Sequence, residues 1–108
     1  MAQFDVFENP NEDANQAVPF LLDVQVDLLD ALSTRVVVPL VAASAMGKAI
    51  KYLNPQFTIR NTTVFMSTAE LAGISVRSLG QKVCSVKDER NEIIAALDFL
   101  FTGFRKGI

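Results

Sequence analysis

Residues 20–29 read FLLDVQVDLL and residues 35–40 read RVVVPL. In the first run Phe20, Leu22, Val24, Val26 and Leu28 recur at every second position, with Asp23, Gln25 and Asp27 between them. Such alternation is the pattern of a strand with one face in a core and the other in water. It predicts a strand over Phe20–Leu29 whose Asp23, Gln25 and Asp27 share a solvated sheet face. A carboxylate site built from Asp23, Asp27 and Asp30 is the less economical alternative. The second run is rich in β-branched residues and predicts a strand over Arg35–Leu40. Pro39 has no N–H to give to a ladder, so it should end that strand or set it at a sheet edge.

Working outward, Gln3–Phe7 reads as a short strand with Phe4 and Val6 on one face, and Glu8–Gln16 (ENPNEDANQ) as a polar loop. The alanine-rich Ala42–Leu53 predicts a short helix closed by Pro55. Phe57–Ile59 and Val64–Ser67 flank Arg60-Asn61-Thr62-Thr63 in a hairpin pattern, and Ile74–Leu79 reads as a last strand stopped by Gly80. A helix is predicted over Ser85–Phe101. Ser85 with Asp88 resembles a capping box, and Asp88, Glu89 and Glu92 lie near the positive end of the helix dipole. Ile93, Leu97, Leu100 and Phe104 follow helical spacing, as do Ile94 and Phe101, and Gly103 suits the residue just past the end. With Ala95, Ala96 and Phe99 also apolar, the face is wider than one packing surface needs, so the helix either packs deeply or meets a second chain. Short strands followed by one terminal helix indicate a mostly antiparallel β (α+β) domain.

Several classes of chemistry are excluded by composition. The 108 residues suit one domain, 1–108, and half of them are hydrophobic. The absence of histidine removes histidine acid–base catalysis, Ser-His and Cys-His pairs and most zinc sites. There is no Gly-rich phosphate loop and no metal-ligand cluster, so neither an enzyme nor a cofactor is expected. Cys84, the one cysteine, reads as a packed small residue rather than a reactive thiol. The net charge of −2 argues against binding nucleic acid through its phosphates. Residues 1–34 hold seven acidic and no basic side chains, whereas residues 35–108 hold five acidic and ten basic ones. That asymmetry fits two differently solvated surfaces, or a basic surface for an acidic partner. No basic leader with an apolar run and no stretch near ~18 apolar residues is seen, so a cytoplasmic protein off the membrane is expected. Asp98–Phe104 places Phe99, Phe101 and Phe104 close together; this fits core and partner anchor equally well.

At this point a family resemblance is legible. Leu22-Asp23-Val24-Gln25-Val26-Asp27-Leu28-Leu29-Asp30 is similar to the VDVQSD-hydrophobic-hydrophobic-D segment of CcdB toxins, and Arg35–Leu40 to their R-x-V-I-P-L strand. Gln3-Phe4, the register of Pro55, Ile59, Met66, Thr68, Ala72, Val76 and Gly80, and Arg90–Leu100 extend the resemblance over nearly the whole chain. It implies an SH3-like antiparallel β barrel with a C-terminal helix, forming a two-fold homodimer as in the CcdB, MazF and Kid toxins. It implies binding to the DNA gyrase A subunit, with gyrase trapped on DNA, and neutralisation by a CcdA-like antitoxin. Carried over by position, the gyrase contact comprises Leu28, Leu29, Asp98, Phe101, Thr102, Gly103 and Phe104. The antitoxin contact comprises Gln3, Phe4, Phe7 and Val26 with the Glu8–Gln16 loop. Two departures stand out. The best-known member has tryptophan where this chain has Thr102, and Arg105-Lys106-Gly107-Ile108 extends past the family's usual end at Phe104. A homologue that dimerises and binds antitoxin without toxicity is one alternative these departures raise. A MazF-like ribonuclease using Arg35, Thr34 and a nearby aspartate is another.

Overall fold

The computed structural model describes residues 2–103. Its strands are β1 (Asp5–Glu8), β2 (Phe20–Asp23), β3 (Thr34–Ala42), β4 (Gln56–Ile59), β5 (Thr62–Met66), β6 (Ala72–Ser75) and β7 (Lys82–Ser85), and its helix is α1 (Arg90–Thr102). Single 3-10 turns cover Asp27–Leu29, Thr68–Glu70, Val76–Ser78 and Lys87–Glu89. All strand pairs are antiparallel, in the order β4-β5-β3-β2-β1-β7, with β6 on β3. The result is a curled antiparallel half-barrel closed by one C-terminal helix, the SH3-like α+β fold that the resemblance implies.

The nine-residue β3 organises the sheet. One edge pairs with β2, from Phe20↔Leu40 to Asp23↔Val37. The other edge is shared: Thr34–Val37 pair with β6, and Leu40–Ala42 with β5. Pro39 therefore neither ends the strand nor lies at the sheet's margin. Its carbonyl accepts from the Ser67 N–H at 2.9 Å, so its own nitrogen also points to the β5/β6 side. There it falls in the gap between two partner strands, where no ladder donor is required.

The core gathers Phe4, Val6, Phe20, Leu22 and Val24 with Val38, Leu40, Phe57, Ile59, Val64 and Met66. From α1, Ile93 and Ala96, three residues apart on one helical face, complete it. Each buried Val, Leu, Ile, Phe or Met side chain among these contributes about 1.5–3 kcal/mol by leaving water, and the Ala96 methyl about 0.8 kcal/mol. The Arg60-Asn61 turn has φ of 51° and 63°, the left-handed pair that a tight two-residue hairpin demands.

Four predicted elements differ from the structure. Phe20–Leu29 stops being a strand at Asp23, for reasons given below. Ala42–Leu53 is not a helix: Ala42 completes β3 opposite Val64, and only isolated turns follow, closed by N–H groups of Ala45 and Met46 on the Ala42 carbonyl and of Leu53 and Asn54 on that of Ile50. Asn54 then anchors the segment, accepting from the Ile50 N–H at 2.8 Å and donating to the Met66 carbonyl at 2.9 Å. Ile74–Leu79 turns out of the sheet after Ser75, and a further strand, β7, follows it. Ser85 belongs to β7; its hydroxyl accepts from the Lys87 N–H at 3.3 Å, and α1 begins only at Arg90. The other end agrees with expectation: Gly103 stops the helix at φ 70°, its N–H on the Phe99 carbonyl at 2.9 Å.

Gly80 joins the end of β1 to the approach to β7, its N–H on the Glu8 carbonyl at 3.0 Å. A Cβ there would lie 2.6 Å from that same carbonyl oxygen, whereas one at Gly73 would meet nothing within 4 Å. Gly80→Ala is therefore expected to destabilise the fold by about 1–3 kcal/mol through backbone displacement. Gly73→Ala should change stability by less than about 1 kcal/mol, and urea denaturation of both variants at one protein concentration checks the contrast.

Candidate functional site

The solvated face expected for Asp23, Gln25 and Asp27 is instead a buried polar cluster around Arg35. Arg35 is only 1% exposed and Asp23 not at all. The Arg35 Nε donates to Asp23 Oδ2 at 2.9 Å, and Nη2 lies 2.6 Å from the same oxygen. Nη2 also donates to the Gln25 carbonyl at 3.2 Å, and Nη1 reaches Asp30 at 3.3 Å. Asp23 Oδ1 accepts from the Gln25 N–H at 3.0 Å. Burial pushes the Asp23 carboxyl above its ordinary range, while the Arg35 guanidinium and the Gln25 N–H pull it back down.

This cluster ends the strand and builds a turn. Val24 still donates to the Val36 carbonyl, but Val36's own N–H goes to the Gln25 side-chain oxygen at 3.0 Å. The same amide donates to the Leu29 carbonyl at 3.1 Å. Residues 27–29 wind into a 3-10 turn, with the Leu29 and Asp30 N–H groups on the Val26 and Asp27 carbonyls. The turn faces its apolar residues outward: Leu28 is 90% exposed, and Val26, Leu29 and Leu32 are about half exposed. Gln3 clamps the turn from the N-terminal segment, donating its N–H to Asp27 at 2.7 Å and its amide to the Val24 carbonyl at 3.1 Å.

The end of α1 presents a second apolar group. Phe101 is 70% exposed, Thr102 and Gly103 are exposed, and Asp98 is half-buried. The Thr102 hydroxyl donates to the Asp98 carbonyl at 2.7 Å. Phe104, assigned to the gyrase contact from the resemblance, lies outside the described residues. Among the residues assigned to the antitoxin, Val26 is exposed and Gln3 half-buried, but Phe4 and Phe7 are buried and offer no surface of their own in this chain. The structure thus brings Gln3 against the turn that carries Val26, Leu28 and Leu29. The sequence reading missed Leu32 as an exposed apolar residue and missed the cluster beneath. The available signal was an arginine opening the apolar run Arg35–Leu40.

Arg35 cannot serve the ribonuclease reading as drawn from the sequence, because its donors face Asp23, Asp30 and the Gln25 carbonyl in a sealed site. Cys84 is half-buried, and burial pushes its thiol up, which fits a packed residue rather than a thiolate nucleophile. No helix among the described residues is long and apolar enough to cross a membrane.

The family model described as CcdB protein matches residues 3–103 of this chain. The chain belongs to the CcdB family. It is a toxin of a toxin–antitoxin system. In this CcdB-family toxin the Arg35 cluster sits in the segment that carries the Leu22–Asp30 and Arg35–Leu40 resemblance.

Removing one partner of a buried ion pair leaves the other charge uncompensated. Arg35→Met is expected to cost about 3–5 kcal/mol by urea denaturation, and Asp23→Leu combined with Arg35→Met should recover much of that loss. Asp30→Asn, which alters only an exposed partner of Arg35, should cost less than about 1 kcal/mol.

Proposed function

We propose that this toxin acts by binding and not by catalysis. As a homodimer in the cytoplasm, with residues 1–108 acting as one toxin domain, it docks on the DNA gyrase A subunit and traps gyrase on DNA. A CcdA-like antitoxin removes it. The observation that carries this reading is the outward presentation of Leu28, at 90% exposure, on a turn fixed from beneath by a buried ion pair. A large aliphatic side chain held in water on a rigid support is a preorganised anchor, because little conformational entropy is lost when a partner covers it.

Leu29 beside it and Phe101 with Asp98, Thr102 and Gly103 at the helix end form the rest of the gyrase surface, to which the resemblance adds Phe104, next in sequence. Phe101 takes over the aromatic area that Thr102 does not supply. Gly103 allows close backbone approach. The half-buried Ile94, Leu97 and Leu100 of α1 are the apolar area that a second copy would cover. For the antitoxin, Val26 and Gln3 are the accessible contacts, whereas Phe4 and Phe7 are buried in the free chain. Because Gln3 holds the Asp27–Leu29 turn, the antitoxin and gyrase surfaces abut.

One observation favours the alternative of a non-toxic homologue: the small Thr102 side chain bonds back to its own helix at Asp98. Expression without antitoxin separates the two readings. Growth arrest is expected for the wild type, and harmless expression with retained antitoxin binding would select the alternative. Leu28→Asp should weaken binding to purified gyrase A about 30-fold or more, within the range of a central anchor. Gly103→Glu should weaken it as well, with circular dichroism unchanged in both. Arrest and full-strength binding in both variants would refute the assigned surface.

A further inference from the structure

We propose that Gln25 is a positioning residue for docking: its buried amide bridges Val36 and Leu29, and so holds Leu28 and Leu29 outward without touching the partner. This rests on the reading that Leu28 and Leu29 meet gyrase. Gln25 is nearly buried, and all four of its polar groups are engaged. Its backbone N–H and carbonyl join the Asp23–Arg35 pair. Its side chain does something the backbone cannot do there. β2 has ended, so Val36 of β3 lacks a backbone acceptor, and the Gln25 Oε1 replaces it at 3.0 Å. The Nε2 on the same plane donates to the Leu29 carbonyl at 3.1 Å. One rigid amide therefore fixes the distance from the central strand to the tip of the turn.

The two bonds need an acceptor and a donor at the end of a side chain of this length. Asparagine is one methylene short. An ionised carboxyl offers two acceptors, so it keeps the Val36 bond and opposes the Leu29 carbonyl; a protonated one can make both bonds. Gln25→Glu should therefore behave as a pH-dependent variant. The charged groups of the adjoining cluster are Arg35 from β3 with its partners Asp23 from β2 and Asp27 and Asp30 from the turn. Arg35 favours its ionised form, and the three aspartates and burial favour the neutral one.

The test compares the full-length wild type with Gln25→Met, Gln25→Glu and Val64→Ala. The last is a core truncation in β5 that destabilises without touching the turn. Binding to purified gyrase A is measured near neutral pH and at about pH 5, each variant relative to wild type, alongside amide hydrogen exchange of the free toxin. Gln25→Met should bind about tenfold more weakly at both pH values. Gln25→Glu should bind as weakly at neutral pH and approach wild type at about pH 5. Val64→Ala should bind as wild type. In the free toxin, Leu29, Asp30 and Leu32 amides should exchange faster in Gln25→Met, and in Gln25→Glu at neutral pH, with β5 unchanged.

Wild-type affinity in Gln25→Met, a Gln25→Glu deficit indifferent to pH, or unaltered exchange in the turn would each overturn the proposal. If the wild type itself failed to bind gyrase, the docking reading would fall. The exchange pattern would still decide whether Gln25 holds the turn.

Discussion

The surface of this toxin depends on one buried ion pair. Arg35 and Asp23 are both withdrawn from water and meet at 2.6 Å. Removing two charges from water is expensive, and their mutual attraction offsets the cost only when the remaining lone pairs and protons are also satisfied. That condition is met here by the Gln25 backbone and by Asp30. Apolar residues could stabilise the interior as well. They could not specify where β2 must stop, because no hydrogen-bonding geometry would distinguish a turn after Asp23 from a strand running on to Leu29. The pair is better understood as setting the shape of the chain than as adding to its stability.

From that constraint follows the placement of the apolar residues that characterise the outside of the molecule. Leu28 would lie in the core of a continued strand; instead the turn rotates it into solvent. An exposed leucine is unremarkable alone. Leu28, Leu29 and Val26 on one braced turn, with Leu32 following, form a local group that a partner can cover. That group is the surface on which the proposed docking rests.

The sequence was a good guide where pattern and packing agree. The hairpin at Arg60-Asn61, the strand beginning near Arg35 and the helix ending at Gly103 all follow from local chemistry that the tertiary structure reinforces. It misled where a long-range contact overrode a local pattern. Asp23, Gln25 and Asp27 alternate with apolar residues as a wet face would, and only the approach of Arg35, twelve positions on, turns the first two inward. Pro39 signals an edge until the gap between β5 and β6 is known. The alanines from Ala42 onward favour a helix until β5 captures the first of them. Of the proposed docking surface, the residues at the helix end and Leu28 and Leu29 come from the family resemblance. Periodicity alone had assigned Leu28 to the core. Phe4 and Phe7 show the opposite limit: a position can match a family's contact and still be buried in the free chain.

The most direct measurement is a methyl NMR titration of leucine-labelled toxin with unlabelled gyrase A fragment. Docking through the braced turn predicts that the Leu28 and Leu29 methyl signals shift or broaden at substoichiometric partner, while those of the core residues Leu22 and Leu40 hold their positions. Saturating partner that leaves the Leu28 and Leu29 signals untouched and perturbs methyls elsewhere would contradict the account.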